Sequence, residues 1–199
     1  QAARIGTGEE RRIKPQAVLP FVLTERQGRE AMTKWLGSLW FAPGTLLEYA
    51  RKGRAMTGVY TPFWTFDADS ESDYTGERGE HYYESRTVSV VVNGKSQTRQ
   101  EQVQKTRWYP ASGHVARRFD DMMVMASTSL PARLGNDLTP WDLTALVPYT
   151  PDYLAGFQAE GYTVALADGH TEARDRMARI IEGDVRRDIG GDVQRISHV

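Results

Sequence analysis

Residues 58–126 run through long extended segments rich in Val, Thr, Tyr, Trp and Phe, and no other feature of the sequence limits the fold so strongly. Branched and aromatic side chains fit a pleated, half-buried surface. The stretch therefore predicts three or four antiparallel strands, at 59–74, 81–92, 96–109 and 114–125. Asn93–Gly94 supplies the two-residue turn between the middle pair, since both positions of such a turn need a backbone that Asn and Gly tolerate.

Helices are expected on either side of this strand region. Thr24 stands three residues before Gln27, the spacing of a capping box, and Ala31, Met32, Trp35, Leu36 and Leu39 recur on one face of the helix it opens, at 25–38. Residues 16–23 ahead of it read as an extended run that Pro20 confines to a sheet edge. Pro43 begins a second short helix through Leu46, Leu47 and Ala50, with Gly53 placed to end it. Beyond Pro131 the chain is loop-rich, with Thr139 and Pro140 opening one helical turn, and 153–166 reads as a further strand. Asp168 or Thr171 then caps a last helix carrying Ala173, Met177, Ile180, Ile181 and Val185 on one face, which Gly190–Gly191 terminates. These elements make an α+β protein, an antiparallel β-meander packed against two main amphipathic helices near 25–38 and 170–187. Residues 1–14 read as a flexible lead-in and 15–199 as a single α+β domain excerpted from a longer chain.

Several chemistries are excluded by absent residues. None of the 199 residues is cysteine, which removes disulfides, thiolate zinc sites, iron–sulfur clusters and cysteine nucleophiles. Asn93-Gly-Lys-Ser96 has only the tail of a phosphate loop, because Ser89 occupies the position of its first glycine. Neither a dinucleotide-binding glycine fingerprint after a strand nor a serine-hydrolase elbow occurs, and the four histidines lack a zincin spacing. The reading leans away from an enzyme and assigns no catalytic residue and no cofactor. The longest apolar run, 122–126, is far below the roughly 18 residues of a membrane-spanning helix, and no secretory leader is visible. No membrane and a cytoplasmic location follow as expectations.

The net charge of −1 conceals blocks of opposite sign. Residues 67–84 hold seven acids against Arg78, whereas 86–118 hold seven bases against Glu101. Acidic and basic strands laid side by side gain from pairing across the sheet. The same bases could instead meet phosphate. Asp67, Asp69, Glu71 and Asp73 alternate and would project from one face of a strand. With His81 and His114 across the sheet, Asp67, Asp69 and Glu71 form a candidate metal set. Trp64, Phe66, Trp108 and Tyr109 among Arg78, Arg107, Arg117 and Arg118 form a candidate binding set of the kind single-stranded nucleic acid uses, with rings for stacking and guanidiniums for the backbone.

Six strings read together carry a resemblance: Lys34-Trp-Leu-Gly-Ser-Leu-Trp-Phe-Ala-Pro43, Gly58-Val-Tyr-Thr-Pro-Phe-Trp-Thr-Phe-Asp67, Tyr74-Thr-Gly-Glu-Arg-Gly79, Lys105-Thr-Arg-Trp108, Pro140-Trp-Asp-Leu143 and Arg187-Asp-Ile-Gly-Gly-Asp192. They resemble a bacterial family of uncharacterised proteins with an N-terminal zinc ribbon, sometimes labelled primosomal protein N-prime or replication-factor-Y-like helicase. The resemblance implies a domain that follows the ribbon, with no catalytic residues to carry over. A helicase motor needs a phosphate-cradling loop with Lys and Mg²⁺ ligands, and this sequence has none. The expected function is a non-enzymatic binding or scaffolding module, with a protein or nucleic acid as partner or a second copy paired through sheet edges. The alternative is a metal-dependent enzyme using the carboxylate and histidine cluster.

Overall fold

The computed structural model describes residues 13–39, 56–92, 95–131, 134–135, 138 and 140–199. The elements in chain order are β1 (Ala17–Val18), α1 (Glu25–Ser38), β2 (Val59–Tyr60), β3 (Phe63–Val92), β4 (Lys95–Met125), β5 (Val147–Pro148), β6 (Gln158–Ala159), α2 (Leu166–Ile189) and β7 (Val193–His198). The expected lead-in at 1–14, the short helix begun by Pro43, the Asn93–Gly94 turn and Thr139 fall wholly or largely outside the described residues.

Contacts divide the chain into two compact units, Gln1–Phe63 with Met125–Ala165, and Trp64–Val124 with Leu166–Val199. In the first, β1 pairs antiparallel with β5, Val18 facing Val147, and β2 pairs parallel with β6, Val59 facing Gln158. The capping box predicted at Thr24 is formed, and Oε1 of Gln27 accepts the Thr24 N–H at 2.9 Å. The apolar face expected on α1 is narrower than its sequence pattern. Leu36 is buried, whereas Trp35 is 60 % exposed, because adjacent residues point about 100° apart on a helix and the buried line runs through Met32 and Leu36. Phe21, Tyr60 and Phe157 form an aromatic cluster, with Phe21 stacked on Phe157 at 4.6 Å. The strand expected at 153–166 is not formed. Pro151–Leu154 is a 3-10 turn, Gly156 has φ +82°, and only Gln158–Ala159 is extended before α2 begins.

The second unit is a hairpin of two very long strands, 30 and 31 residues, with β7 added to the outer side of β3 in the order β4-β3-β7. The four-strand meander of the sequence reading is thus two strands that continue through both expected breaks. Gly76 and Gly79 are strand residues. A Cβ at Gly79 would lie 2.5 Å from Val193 Cγ2 and 2.9 Å from Trp108 Cζ3, so a glycine here signals close packing rather than a turn. At the second break, Gly113 leaves room for Tyr74 and Asp188, which a Cβ would meet at 2.6 and 2.9 Å.

α2 covers one face of this sheet. Its helical period brings Ala173 and Met177 onto Phe119 and Val124, with Phe66, Ala68 and Met122 around them. Two turns later Val185 and Ile189 pack on Tyr74, flanked by Ala111, Val115 and Ile196. Ile180, expected on this face, is 37 % exposed and lies beside it. The helix starts at Leu166, earlier than either cap candidate. Asp168 sits in the first turn, where a carboxylate suits the positive end of the helix, and the Thr171 hydroxyl donates to Ala167 O at 3.0 Å. Gly190 and Gly191 end it at φ +67° and +75°, as expected. They reverse the chain into β7, a strand missed from the sequence, which pairs antiparallel with β3, Glu77 facing Arg195 and Gly79 facing Val193.

Candidate interaction site on the hairpin

Three contacts define the pairing of β3 with β4. His114 Nδ1 lies 2.8 Å from Asp73 Oδ1, Arg118 Nε 4.0 Å from Asp69 Oδ1, and His81 Nδ1 3.1 Å from Thr106 Oγ1. All three belong to one antiparallel register on the face away from α2. Asp67, Asp69, Glu71 and Asp73 are all exposed on that face, the alternation that their spacing predicts. Arg118 and His114 of the basic strand answer two of them, and Asp67 Oδ1 accepts the N–H of Asp121, a residue at φ +54°.

The candidate metal set is not gathered into one place. His81 lies eight residues beyond Asp73, about 25 Å along a strand, and His114 is held by Asp73 rather than by Asp67 or Asp69. Alternate residues on an extended strand stand about 6–7 Å apart and point in parallel, so they do not converge on an ion. Among the described residues no group of three or more His, Asp or Glu side chains does so.

The candidate binding set is split between the two faces. Trp108 lies on the outer face over Gly79, and the Arg195 guanidinium of β7 stacks on its ring at 3.8 Å while pairing with Glu77 at 3.4 Å. Arg118 shares that face. Trp64 packs by Gly169 in the first turn of α2. Arg117 is on the helix side, where both its Nε and Nη2 donate to Asp184. Arg78 and Arg107 also lie on the helix side, past the end of α2, and there they interleave with Tyr109, one of the rings expected from the sequence, and with Tyr82, which the sequence did not single out. Arg78 is 5.7 Å from the Tyr109 ring and Arg107 is 5.0 Å from the Tyr82 ring. A hydrogen bond to Tyr109 raises the Arg107 pKa further. Glu80 pairs with Arg78 at 3.1 Å and Glu84 with Lys105. The signal for this ladder was the period of two: Arg78, Glu80, Tyr82 and Glu84 alternate along β3.

Along the seam between β4 and α2 lies an open cleft of about 620 Å³ lined by Val115, Arg117, Arg118, Asp184, Arg187 and Asp188. Its charges are mutually satisfied. Arg117 and then Arg187 hold the Asp184 carboxyl down to about 2. The Tyr74 hydroxyl donates to Asp188 Oδ2 at 2.6 Å, a bond that pushes the phenol pKa up. This cluster fastens the helix to the sheet.

The distal half of the hairpin is different. β7 accompanies β3 only from Thr75 to Gly79, and between Glu80 and Arg107 no described residue is buried. The two backbone edges differ at the root of the arm. The open edge of β3 is stopped where β7 begins, because the Asp192 carboxylate accepts the His81 N–H at 2.6 Å and the Asp192 N–H donates to Gly79 O at 2.9 Å. Since Gly79 turns its backbone groups toward β7, its partner Trp108 turns its own toward the free edge of β4. So does Pro110 two residues on, where the missing N–H leaves a gap in that edge. From Ser96 to Gln104 the β4 edge contains neither Pro nor Gly nor Lys, the residues that blunt exposed strands elsewhere.

The fold defines an α+β protein whose second unit is a long two-stranded hairpin with a helix-covered base and a distal arm that, among the described residues, no helix or third strand covers. No protein-family model and no solved structure matches the chain, so the zinc-ribbon resemblance rests on the quoted strings. The chain is similar to the Uncharacterized protein YdjG of Bacillus subtilis (strain 168), 23% identical over 180 residues that make up 90% of this chain and 49% of YdjG. It therefore spans about half the length of that relative. Among the described residues no helix is long and apolar enough to cross a membrane.

Proposed function

We propose that the chain is a non-enzymatic binding or scaffolding module whose contact element is the distal half of the hairpin, with a protein as partner. The observation that carries this reading is the unburied stretch between Glu80 and Arg107. A two-stranded ribbon with neither helix nor third strand is marginal in water by itself, and a protein partner that adds a strand or covers a face supplies what it lacks. The outer face of the arm presents His81, Tyr83, Ser85, Gln102 and Gln104, all exposed and none of them Lys or Arg, so it gives phosphate no basic row to bind and suits a protein surface better than nucleic acid. The test is site-specific photo-crosslinking of the full chain in cells. A photoreactive residue at Gln102 on the arm should give a discrete protein adduct, and one at Arg174 on the exposed side of α2 should not. Absence of adducts from every arm position would sink the reading.

A second reading, single-stranded nucleic acid, is favoured by the Arg78, Tyr109, Arg107 and Tyr82 ladder, since guanidiniums beside rings can hold stacked bases. Fluorescence anisotropy of labelled oligonucleotides at two salt concentrations tests it. Binding that weakens steeply with salt and is lost in Arg78→Glu/Arg107→Glu supports it, and no binding at low salt removes it.

A further inference from the structure

Resting on the reading of the arm as the contact element, we propose that the occupant of the free β4 edge is a second copy of this chain, paired antiparallel across a twofold axis through Gln100. The edge groups come first. Trp108 and Pro110 direct their backbones outward, and alternation along the strand gives Ser96, Thr98, Gln100, Gln102 and Gln104 the same outward direction. Among the described residues no strand pairs with this edge, so five residues present N–H and C=O groups outward over a length of about 30 Å. Toward the base the β4 edge is interrupted by Pro110, and Asp121 leaves the extended conformation at φ +54°, while Asp192 closes the root of the β3 edge. The arm keeps two open edges, and on that of β4 no such interruption occurs between Ser96 and Gln104.

The charges then select a copy of the same segment. In an antiparallel pairing centred on Gln100, Arg99 faces the partner's Glu101 and Glu101 faces the partner's Arg99, two identical contacts as a twofold interface requires. Because Gln100 offers its hydrogen bonds outward, its neighbours fall in the closely spaced type of pair, where side chains are nearest. Within its own hairpin Arg99 lies opposite Val88 in the established register, and among the described residues it has no acidic partner. On the other face Thr98 and Gln102 meet across the axis, uncharged and able to hydrogen-bond.

Light scattering of the purified 199-residue chain tests the pairing. The expected result is a dimer that dissociates on dilution. Arg99→Glu and Glu101→Arg should each raise the dimer Kd at least about tenfold, by placing like charges face to face, and the double variant Arg99→Glu/Glu101→Arg should restore it. Gln100→Pro should give a monomer with an intact hairpin, because its lost N–H points away from β3 as that of Pro110 does. Ser85→Pro, the matching change on the distal β3 edge, should leave the dimer intact. Should Gln100→Pro also lose its melting transition, the charge-swap series decides. A wild-type chain that stays monomeric at about 100 µM, where a micromolar dimer would be full, overturns the proposal. So does a dimer untouched by the Arg99 and Glu101 changes. A monomer that still crosslinks from Gln102 to a different protein would sink self-pairing while leaving the binding-module reading in place.

Discussion

Arg117 on β4 and Asp184 on α2 join the sheet to its helix through paired hydrogen bonds, the Nη2 to Oδ1 contact measuring 2.8 Å. Arg187 donates to the same carboxylate from one turn further along the helix. An acid with two guanidiniums on it loses its proton far more readily than a free one, so this contact has a signature in pH.

The Asp184 carboxyl is lowered from its ordinary 3.8 to about 2 by Arg117 and then by Arg187. A depressed carboxylate stabilises the fold above its unfolded pKa, and that contribution is lost as pH falls through the folded one. Melting temperature should therefore drop between about pH 4 and pH 2. Asp184→Asn should lower it at pH 7 and flatten that acid limb. An unchanged acid limb in the variant would show that Asp184 is not the group responsible.

Tyr74 gives the opposite limb. It is 4 % exposed, and its bond to Asp188 raises the phenol pKa. A raised pKa means that stability is fully present below the unfolded value near 10 and is lost as pH rises past the folded one. Tyr74→Phe should cost about 1 kcal/mol at neutral pH for the missing hydrogen bond and should reduce the loss above pH 10. Chemical denaturation at pH 7 and pH 10.5 separates the two effects.

The glycines give a matched pair of substitutions. Gly79→Ala drives a methyl into Val193, Thr106 and Trp108 and should cost about 1–3 kcal/mol, the usual penalty of overpacking. Gly183→Ala on α2 meets nothing within 4 Å and should add about 0.5–1 kcal/mol by restricting the unfolded chain and favouring helix. Equal effects of the two changes in urea denaturation would refute the packing assigned to Gly79.

Arg195 shields one face of Trp108. Arg195→Ala should cost less than about 1 kcal/mol, the scale of an exposed cation–π contact, yet make tryptophan emission more susceptible to acrylamide. The same comparison in a Trp108→Phe background should show no difference, since the other four tryptophans are untouched.

Local patterns in the chain were informative wherever a residue acts on its own neighbours. Thr24 and Gln27 cap α1, Gly190 and Gly191 end α2, and the acids at 67–73 share one exposed face. The two expected breaks in the strands failed for a common reason. Gly76, Gly79 and Gly113 have the composition of turns, but each answers to a distant group, the first two to β7 and the third to the Tyr74–Asp188 pair. Nothing near them in the chain announces those partners. The binding set was half legible. Arg78 and Arg107 do lie together, but Arg117 and Arg118 are neighbours in sequence and so point to opposite faces of a strand. Their clustering along the chain could not become clustering in space.

The pairing of Glu77 with Arg195 spans 118 positions of the chain. During synthesis, strand β3 emerges long before β7 exists, and before any of the helix that covers its inner face. Until then the nascent chain exposes the aromatic and valine-rich stretch 63–92, with glycines where its third strand will lie. Closing so distant a contact is slow, because loop entropy must be overcome before the strand contacts form. The order in which ribosomes deliver the segments therefore leaves an interval of aggregation risk, and it ends only when the last six-residue strand is laid down.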